Sequence, residues 1–380
     1  MKAIGFVTRY PPTHCGIAEY SKFLISALKF LNPNLRVVVF TTNESFENTY
    51  YDSDIKVIPC FSRFERDYSN LIDALANEKV EVLHLQHEYG IFGTNKKIIN
   101  VINEAKEERL IKSGVITMHT VHHPYTLLKE ALEFQRELNK LDAVIVHSDL
   151  QEFELIVQGI DAAKIHSISH GTLINPYLGY SKKYLAKSLR ISNPKGFVCA
   201  IPGFMRRDKG VDTLLEALDG LENLKLTLIF AGEPQDDVVR ELVESYKSKT
   251  ILIERYLSSD EILKVVALAD AVILPYKDKP GSYAVSGILH LSMGGLKPIV
   301  GSRVPRLVEL CQHSPWLTVP SSNAKELANK IKWLISNYEF TVSYMHELYA
   351  YAAETQWVNI AHEHYKLYNW LLNKSKNLYF

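Results

Sequence analysis

Two loops in the sequence combine residues that suit the binding of a phosphate group. The first, residues 10–16, ends with Gly16 at the predicted start of a helix, where free backbone N–H groups and the helix dipole can hold an anion. The second, residues 203–210, places three cations, among them Arg206 and Lys209, between two glycines, and such cations suit a diphosphate. Each loop also has an ordinary interpretation, as a tight turn or as a solvated run of charges. Neither contains GK[ST] or GxGxxG, which disfavours a P-loop nucleotidase and a simple dinucleotide dehydrogenase.

Histidines gather in two short segments at the ends of predicted strands. His84 and His87 lie in one segment, and His119 opens a group of three histidines in the other. Imidazoles together with Glu88 could ligate a metal ion, although HxxHE is not the HExxH pattern of zinc proteases. A polar strand end that binds substrate and a set of hydrogen-bonded structural histidines are the other two interpretations. The residues alone leave these three alternatives open.

The elements that must position these residues alternate between short apolar strands and helices. Ile4–Val7 and Val82–Gln86 have consecutive apolar residues, as strands covered on both faces do, and the pattern restarts at Phe197–Ile201. The alternation predicts an α/β protein with two doubly wound, Rossmann-like domains and a ligand in the cleft between them. We predict one domain over residues 1–180, a second over 190–355 and a final helix over 356–380.

The composition indicates a globular protein and excludes several classes of function. The 380 residues carry 43 Lys and Arg against 43 Asp and Glu, and this balance disfavours a nucleic-acid partner. There is no apolar run long enough for an integral membrane segment, and the N-terminus lacks the features of a signal peptide. The four cysteines are widely separated and form no CxxC pair. These features predict a cytoplasmic protein.

Taken in order, the segments resemble the retaining glycosyltransferases of family four, group 1 enzymes with the GT-B fold. The resemblance covers nearly the whole chain. It is carried by the glycine loop at residues 10–20, Gln86–Gly93, Thr117–His119, His170-Gly171, the loop at Gly203–Gly210, Ala231–Glu233, Asp270–Pro275, Lys297–Val300 and the tail that begins at Trp357. The order of these motifs is more specific than any one of them. The resemblance implies that the final helix crosses back to the first domain.

The family resemblance implies transfer of a hexose from a nucleotide diphosphate sugar to a hydroxyl acceptor, with retention of configuration and without a metal or another cofactor. The implied donor is GDP-mannose, or next UDP-glucose, and the implied acceptor is a sugar, a polyol or a lipid-linked sugar. His119 would contact the donor sugar near its reacting centre. The other implied site residues are Gly16, Gly203, Arg206 and Lys209 for the diphosphate, Gly281, Ser282, Tyr283 and Ser286 for the sugar and nucleotide, and His87, Glu88 and Tyr89 on the acceptor side.

The sequence departs from the family pattern at three positions. Phe204 stands where the family usually has an arginine, and Tyr283 and Leu291 stand where it usually has two glutamates. The second glutamate normally binds the nucleotide ribose, and a leucine cannot. These departures motivate an alternative function, that of a catalytically inactive GT-B protein that binds sugar nucleotides or regulates. An enzyme with other chemistry on the same fold, such as an epimerase or a glycogen-type phosphorylase, is a third hypothesis.

Overall fold

The computed structural model describes residues 1–235, 237–246 and 249–377. The strands are, in chain order, β1 (Ala3–Val7), β2 (Arg36–Thr42), β3 (Tyr50–Asp52), β4 (Ile55–Phe61), β5 (Val82–His87), β6 (Ser113–Met118), β7 (Thr120–His122), β8 (Ala143–Val146), β9 (Ile165–Ser167), β10 (Phe197–Pro202), β11 (Leu226–Ala231), β12 (Thr250–Ile253), β13 (Ala271–Leu274), β14 (Ser282–Ala284), β15 (Ile299–Ser302) and β16 (Thr318–Val319).

Helices follow most of these strands. They are α1 (Gly16–Leu31), α2 (Ser69–Glu78), α3 (Tyr89–Phe92), α4 (Lys97–Glu107), α5 (Glu130–Arg136), α6 (Asp149–Val157), α7 (Lys182–Ser188), α8 (Val211–Ala217), α9 (Asp237–Glu244), α10 (Ser259–Leu268), α11 (Gly287–Met293), α12 (Val308–His313), α13 (Ala324–Ser336), α14 (Tyr338–Ser343), α15 (His346–Glu354) and α16 (Trp357–Asn377). Within the described ranges, no helix combines the length and the apolar composition needed to cross a bilayer.

The first of two compact units contains residues 1–171, 280–285 and 357–377 of the described chain. Its main sheet has the strand order β3-β4-β2-β1-β5-β6-β8-β9, with every pair parallel except the β3–β4 hairpin. All five residues of β1 are buried, as expected for a strand covered on both faces. Parallel strands end at the same edge of a sheet, so the segments after β1, β4, β5 and β6 lie along one edge.

The second unit contains residues 172–279 and 286–356, apart from the undescribed positions among them. Its sheet has the order β12-β11-β10-β13-β15-β16, and all its pairs are parallel. Buried side chains cover both faces of this sheet, in one cluster that includes Val198 and Leu274 and another that includes Cys199 and Phe230. This unit is therefore a doubly wound α/β sheet in which the loops after β10, β13 and β15 share one edge.

A short segment inside the sequence of the second unit belongs to the first. Strand β14 pairs antiparallel with β7, placing Tyr283 opposite Val121. The carbonyl of Gly281 accepts a hydrogen bond of 3.0 Å from the backbone N–H of His123. The predicted domain over 190–355 had included this segment, and its backbone pairing groups it with residues 1–171 instead.

The C-terminal helix α16 packs in the first unit, against α1. The ring of Trp357 lies 5.0 Å from that of Tyr20 and 5.7 Å from that of Phe23. Gly171 passes directly beneath the same indole, and a Cβ atom there would lie 2.1 Å from a ring carbon of Trp357. Helix α16 lies within the predicted range 356–380, whose last three residues are outside the described part of the chain.

A buried relay of hydrogen bonds ties together the two segments of the second unit that adjoin residues 171 and 357. Thr172 donates its backbone N–H to the carbonyl of Thr355 at 2.8 Å, and their hydroxyl oxygens are 2.9 Å apart. The Thr172 hydroxyl also contacts Nδ1 of His290, whose Nε2 is 2.9 Å from Glu309. All four side chains are buried, so the relay fixes the point at which the chain enters and leaves this unit.

Candidate functional site

The second predicted phosphate loop follows β10 in the second unit and requires glycine at its end. Gly210 has φ of 67°, and a Cβ atom there would lie 1.8 Å from the carbonyl oxygen of Pro275. Only glycine accepts both the left-handed backbone and this close approach. The tight passage brings the short turn Arg207–Lys209 against the end of β13. The backbone therefore delivers the cations of this loop to the carboxyl edge of the sheet.

Asp208 lies at the centre of a cluster of cations drawn from three loops. Its Oδ2 atom is 3.1 Å from Nη2 of Arg206, 3.2 Å from Nη1 of Arg306 and 3.2 Å from Nζ of Lys279. Burial alone would raise the pKa of Asp208, but the surrounding cations, Arg206 first among them, lower it. One carboxylate cannot neutralise Arg206, Arg306 and Lys279 together, so the cluster keeps an excess of positive charge.

Lys209 is buried beside other cations, and both conditions disfavour the charge of its ammonium group. Burial, followed by the charges of Arg306 and Arg206, lowers the pKa of its ammonium group well below the ordinary value. The Nζ atom lies 3.7 Å from the centre of the Tyr276 ring, and the Tyr276 hydroxyl is 3.1 Å from that of Ser286. The structure thus brings Lys209 and Ser286 of the predicted site together through Tyr276. An anion bound here would relieve the repulsion that destabilises the Lys209 charge.

The first predicted phosphate loop has an open helix start. Helix α1 begins at Gly16, and the preceding Cys15 side chain provides no capping hydrogen bond. A Cβ atom on Gly16 would meet no other heavy atom within 4 Å. Glycine at this position therefore satisfies no packing constraint of the folded chain, in contrast to Gly210. A helix start without a side-chain cap and without crowding suits the binding of an anion by the first backbone N–H groups of α1.

His119 follows β6 and has both ring nitrogens engaged. Nδ1 is 3.3 Å from Nε2 of His147, and Nε2 is 2.9 Å from the side-chain amide oxygen of Gln86. The Tyr20 ring packs against the imidazole at 4.7 Å. Burial, followed by the charge of His147, lowers the pKa of His119 well below its ordinary value. His119 is therefore a neutral, fixed imidazole and not a free base.

The partners of His119 determine which of its nitrogens carries the proton. Nδ1 of His147 is 2.8 Å from the carbonyl oxygen of Ile168, which can only accept, so this nitrogen of a neutral His147 carries the hydrogen. Its Nε2 then accepts from Nδ1 of His119, and Nε2 of His119 is left as an acceptor. The nitrogen of the Gln86 amide satisfies that acceptor once the amide is rotated by half a turn, which exchanges its oxygen and nitrogen.

The predicted acceptor-side residues lie around the start of α3. His87 is fully buried, its ring stacks on Phe134 at 4.3 Å, and burial lowers its pKa to about 3. Glu88 accepts a hydrogen bond of 2.8 Å from the hydroxyl of Thr120, the residue after His119. Tyr89 donates its hydroxyl to Gln135 at 3.0 Å. His87 thus contributes aromatic packing, whereas Glu88 connects this loop to the His119 segment.

The predicted donor segment is divided between the two units. Gly281, Ser282 and Tyr283 lie in and beside β14 in the first unit, and the backbone oxygen of Tyr283 accepts a hydrogen bond of 3.1 Å from Gln151. Ser286 caps α11 in the second unit and accepts from the N–H of Leu289 at 3.3 Å. Leu291 packs against the apolar core of the second unit. A side chain in that position contributes to packing, not to the recognition of a ribose.

Several polar residues of the cation cluster are not apparent from the sequence motifs. Arg306 follows β15, and Lys279 precedes β14, so both come from loops remote in sequence from Asp208. A basic residue just after a parallel strand was the available signal for Arg306. Tyr276 could have been suspected for the same reason, since it closely follows β13. No group of three or more His, Cys, Asp or Glu side chains within the described ranges is arranged to hold a metal ion.

Comparisons with known proteins give a family match for part of the chain and a fold for nearly all of it. Residues 196–337 match the family described as Glycosyl transferases group 1. A search of the curated proteins gives no sequence match. The chain is similar to Anabaena Alr3699/HepE in complex with UDP, at 18% identity and a TM-score of 0.72 over 97% of this chain and 99% of that one.

Two further solved structures are similar over their whole length. A glycosyltransferase from Rickettsia africae is 16% identical, with a TM-score of 0.76 over 97% of this chain and 98% of that chain. Sucrose-phosphate synthase from Thermosynechococcus elongatus is 17% identical, with a TM-score of 0.76 over 98% and 100%. Anabaena HepE was also solved with UDP-glucose, at 18% identity and a TM-score of 0.70 over 95% of this chain and 97% of that chain. At sequence identities of 16–18%, the similarity to these structures establishes the fold of this chain alone.

Proposed function

We propose that this chain, a GT-B protein whose residues 196–337 belong to the group 1 glycosyltransferases, transfers a hexose from a nucleotide diphosphate sugar to a hydroxyl acceptor with retention of configuration. The family match and the fold support the class of reaction. The observation that supports a diphosphate leaving group is the excess of positive charge around Asp208, at the carboxyl edge of the second sheet. A diphosphate leaving group develops negative charge in the transition state, and fixed cations stabilise that charge.

The proposed contacts follow from the positions of the charged and polar groups. Arg206 and Lys209 bind the diphosphate, while Gly203 allows the loop to turn and Ser286 offers a hydroxyl beside Tyr276. Gly16 is proposed to contribute backbone N–H groups to the same ligand. Because these groups supply positive charge and hydrogen-bond donors, we propose a reaction that needs no metal ion.

The chemistry requires no strong base from the protein. The bond between the anomeric carbon and the leaving phosphate oxygen breaks, and the acceptor oxygen bonds to that carbon on the same face. The acceptor hydroxyl proton passes to the leaving phosphate oxygen. His119 is proposed to orient the donor sugar, together with the polar groups of Gly281, Ser282 and Tyr283. A neutral imidazole with fixed hydrogen bonds suits this role.

Mannose remains our preferred sugar and glucose the next, with GDP-mannose and UDP-glucose as the respective donors. The preference for mannose rests on the resemblance of the loop at residues 86–90 to mannosyl-transferring members. The complexes of Anabaena HepE with UDP and UDP-glucose support including the uridine donor in any test. Calorimetric titration with GDP, UDP, ADP and their hexose conjugates, with EDTA present, would identify the nucleotide and test independence from metal.

The charge state of Lys209 gives this proposal a specific test. A bound diphosphate favours the ammonium form, so binding should take up a proton, and affinity should fall as the pH rises above the lowered pKa of Lys209 in the free protein. Lys209→Ala and Arg206→Ala should each weaken binding by about 1–3 kcal/mol, because each removes a charge-assisted hydrogen bond. In Lys209→Ala the proton uptake, measured from the dependence of the binding heat on the buffer, should also disappear. Lys183→Ala, on the exposed surface of α7, is the control.

Unchanged nucleotide affinity in both Arg206→Ala and Lys209→Ala would refute the assignment of the diphosphate site. The alternative function, a sugar-nucleotide-binding or regulatory protein without catalysis, is favoured by the position of Leu291 in the core, where the family has a ribose-binding glutamate. Stoichiometric binding of a donor, with neither hydrolysis nor transfer across a panel of acceptors, would support that alternative.

A further inference from the structure

A second cluster of polar residues lies on the first unit, outside the proposed diphosphate contacts. The loop after β4 and the segment after α3 flank a cavity of about 510 Å³ that is wide open to solvent and is lined among others by Phe64, Arg66, Asn95 and Lys97. Three hydrogen bonds join the two segments. Phe64 donates its N–H to Ile91 at 2.8 Å, Arg63 donates to Gly90 at 2.6 Å, and Asn95 donates to the carbonyl of Glu65 at 2.9 Å.

The charge of this cavity is positive. Arg66 and Lys97 are exposed, and neither forms an ion pair with a carboxylate in the described part of the chain. The one carboxylate in the lining, Glu65, is occupied by the backbone N–H groups of Ser62, Arg66 and Asp67. Burial would raise the pKa of Glu65, but these backbone hydrogen bonds outweigh it and lower the pKa. Glu65 is thus an anion held by the backbone, and the two cations of the lining, Arg66 and Lys97, outnumber it.

The backbone of Phe64, one of the residues that line this cavity, is strained. Phe64 has φ of 57°, a conformation that bulky residues rarely adopt, and its side chain is 54% exposed. The guanidinium of Arg63 lies 4.8 Å from the centre of its ring. A strained, exposed aromatic residue that orients a cation is more typical of a binding site than of a folding constraint.

The cavity lies on the same edge of the first sheet as His119. Its segments follow β4 and β5, and His119 follows the neighbouring β6. Glu88, which precedes α3, is hydrogen-bonded at 2.8 Å to the hydroxyl of Thr120, the residue after His119. The short segment from Glu88 to Lys97 thus joins the cavity to the segment that contains His119. This relation fits a subsite for the acceptor.

We propose that this cavity binds the anionic group of an acceptor sugar, a phosphate or a carboxylate, through Arg66 and Lys97. This inference rests on the proposed function for the identity of the ligand as acceptor. It adds the chemical class of the acceptor and residues that the motifs do not include. Arg63, hydrogen-bonded to Gly90, adds a positive charge beside the ring of Phe64, which is one of the lining residues.

The inference is tested first by binding, with the full chain and without a donor. Calorimetry with glucose 6-phosphate, fructose 6-phosphate, glucuronate and glucose should give binding of at least one anionic sugar below about 10 mM and none of glucose. The two phosphates and the uronate distinguish the two possible anionic groups. Arg66→Ala and Lys97→Ala should each weaken binding about tenfold or more, while Arg66→Lys retains most of it. Lys366→Ala, on the exposed surface of α16, should have no effect.

The same variants separate this inference from the proposed function. With a donor present, Arg66→Ala and Lys97→Ala should raise the KM for the anionic acceptor about tenfold, and leave nucleotide affinity and acceptor-free donor hydrolysis unchanged. Equal binding of glucose and the anionic sugars, no binding of any of them, or unchanged binding in both variants would overturn the inference. Failure of nucleotide binding with intact anionic-sugar binding would instead count against the proposed donor site.

Discussion

At the scale of single residues, the histidine predicted to act in catalysis is buried and has both ring nitrogens hydrogen-bonded. His119 cannot gain or lose a proton easily, because burial disfavours its charge and both nitrogens already have partners. Gln86 is the partner that fixes Nε2, and it lies fully buried between His119 and His84. Gln86 is therefore a positioning residue, and its amide fixes the orientation of the His119 ring.

Replacement of Gln86 should show whether His119 must be correctly oriented for the reaction, apart from any effect on donor binding. Gln86→Leu is expected to lower kcat about tenfold or more with little change in KM for the donor, because it leaves Nε2 of His119 without its fixed partner. Gln86→Glu should instead raise the pKa of His119, since a carboxylate can only accept and therefore favours the doubly protonated ring. Steady-state kinetics and nitrogen NMR of the labelled histidines measure the two effects. A change in KM with constant kcat would contradict the positioning role.

At the scale of elements, the two glycine loops differ in the physical reason for their glycine. Gly210 is required by the fold, because its backbone is left-handed and Pro275 leaves no room for a Cβ atom. Gly16 is not among the glycines with a positive φ angle, and a Cβ atom there would have open space around it. The same substitution at the two positions therefore distinguishes a structural constraint from a ligand-binding one.

Gly210→Ala should destabilise the second unit by about 3 kcal/mol or more, because the 1.8 Å approach forces a shift of backbone and not of a side-chain tip. Gly16→Ala should leave the free energy of unfolding unchanged within about 0.5 kcal/mol and weaken nucleotide diphosphate binding. Urea denaturation and calorimetry provide the two measurements. Normal nucleotide affinity in Gly16→Ala would remove the first loop from the proposed site.

The sequence predicts the regular elements better than the contacts between distant loops. Apolar runs such as Ile4–Val7 and Phe197–Ile201 reflect burial on both faces of a sheet, so they identify β1 and β10 closely. The pairing of β14 with β7 has no such signal, because each strand has three residues and the partners are about 160 positions apart. Arg306 and Asp208 are also far apart in the sequence, and only folding brings them into contact. Motif order thus predicts fold and loops, whereas the charge partners require the tertiary structure.

At the scale of the whole molecule, the first unit carries several buried histidines that are neutral in the folded state. Burial is the first cause that lowers the pKa of His84 and His119 well below the ordinary value, that of His87 to about 3 and that of His364 to about 4. The unfolded chain binds protons at these positions below about pH 6.5, and the folded chain does not. Stability contributed by these groups is therefore complete above pH 6.5 and is lost as the pH falls toward the folded pKa values.

The protein should consequently be sensitive to acid well above the pH at which carboxylates titrate. Four such histidines give a loss of about 5 kcal/mol per pH unit near pH 5.5, at about 1.4 kcal/mol for each proton, which is comparable with the whole stability of a domain. His87→Phe keeps the stack on Phe134 and should reduce this slope by about one proton. The exposed His346→Gln is the matched control and should leave the slope unchanged. Urea denaturation at pH 7.5, 6.5 and 5.5 measures the slopes, and equal slopes for the wild type and His87→Phe would show that His87 does not share in the acid sensitivity.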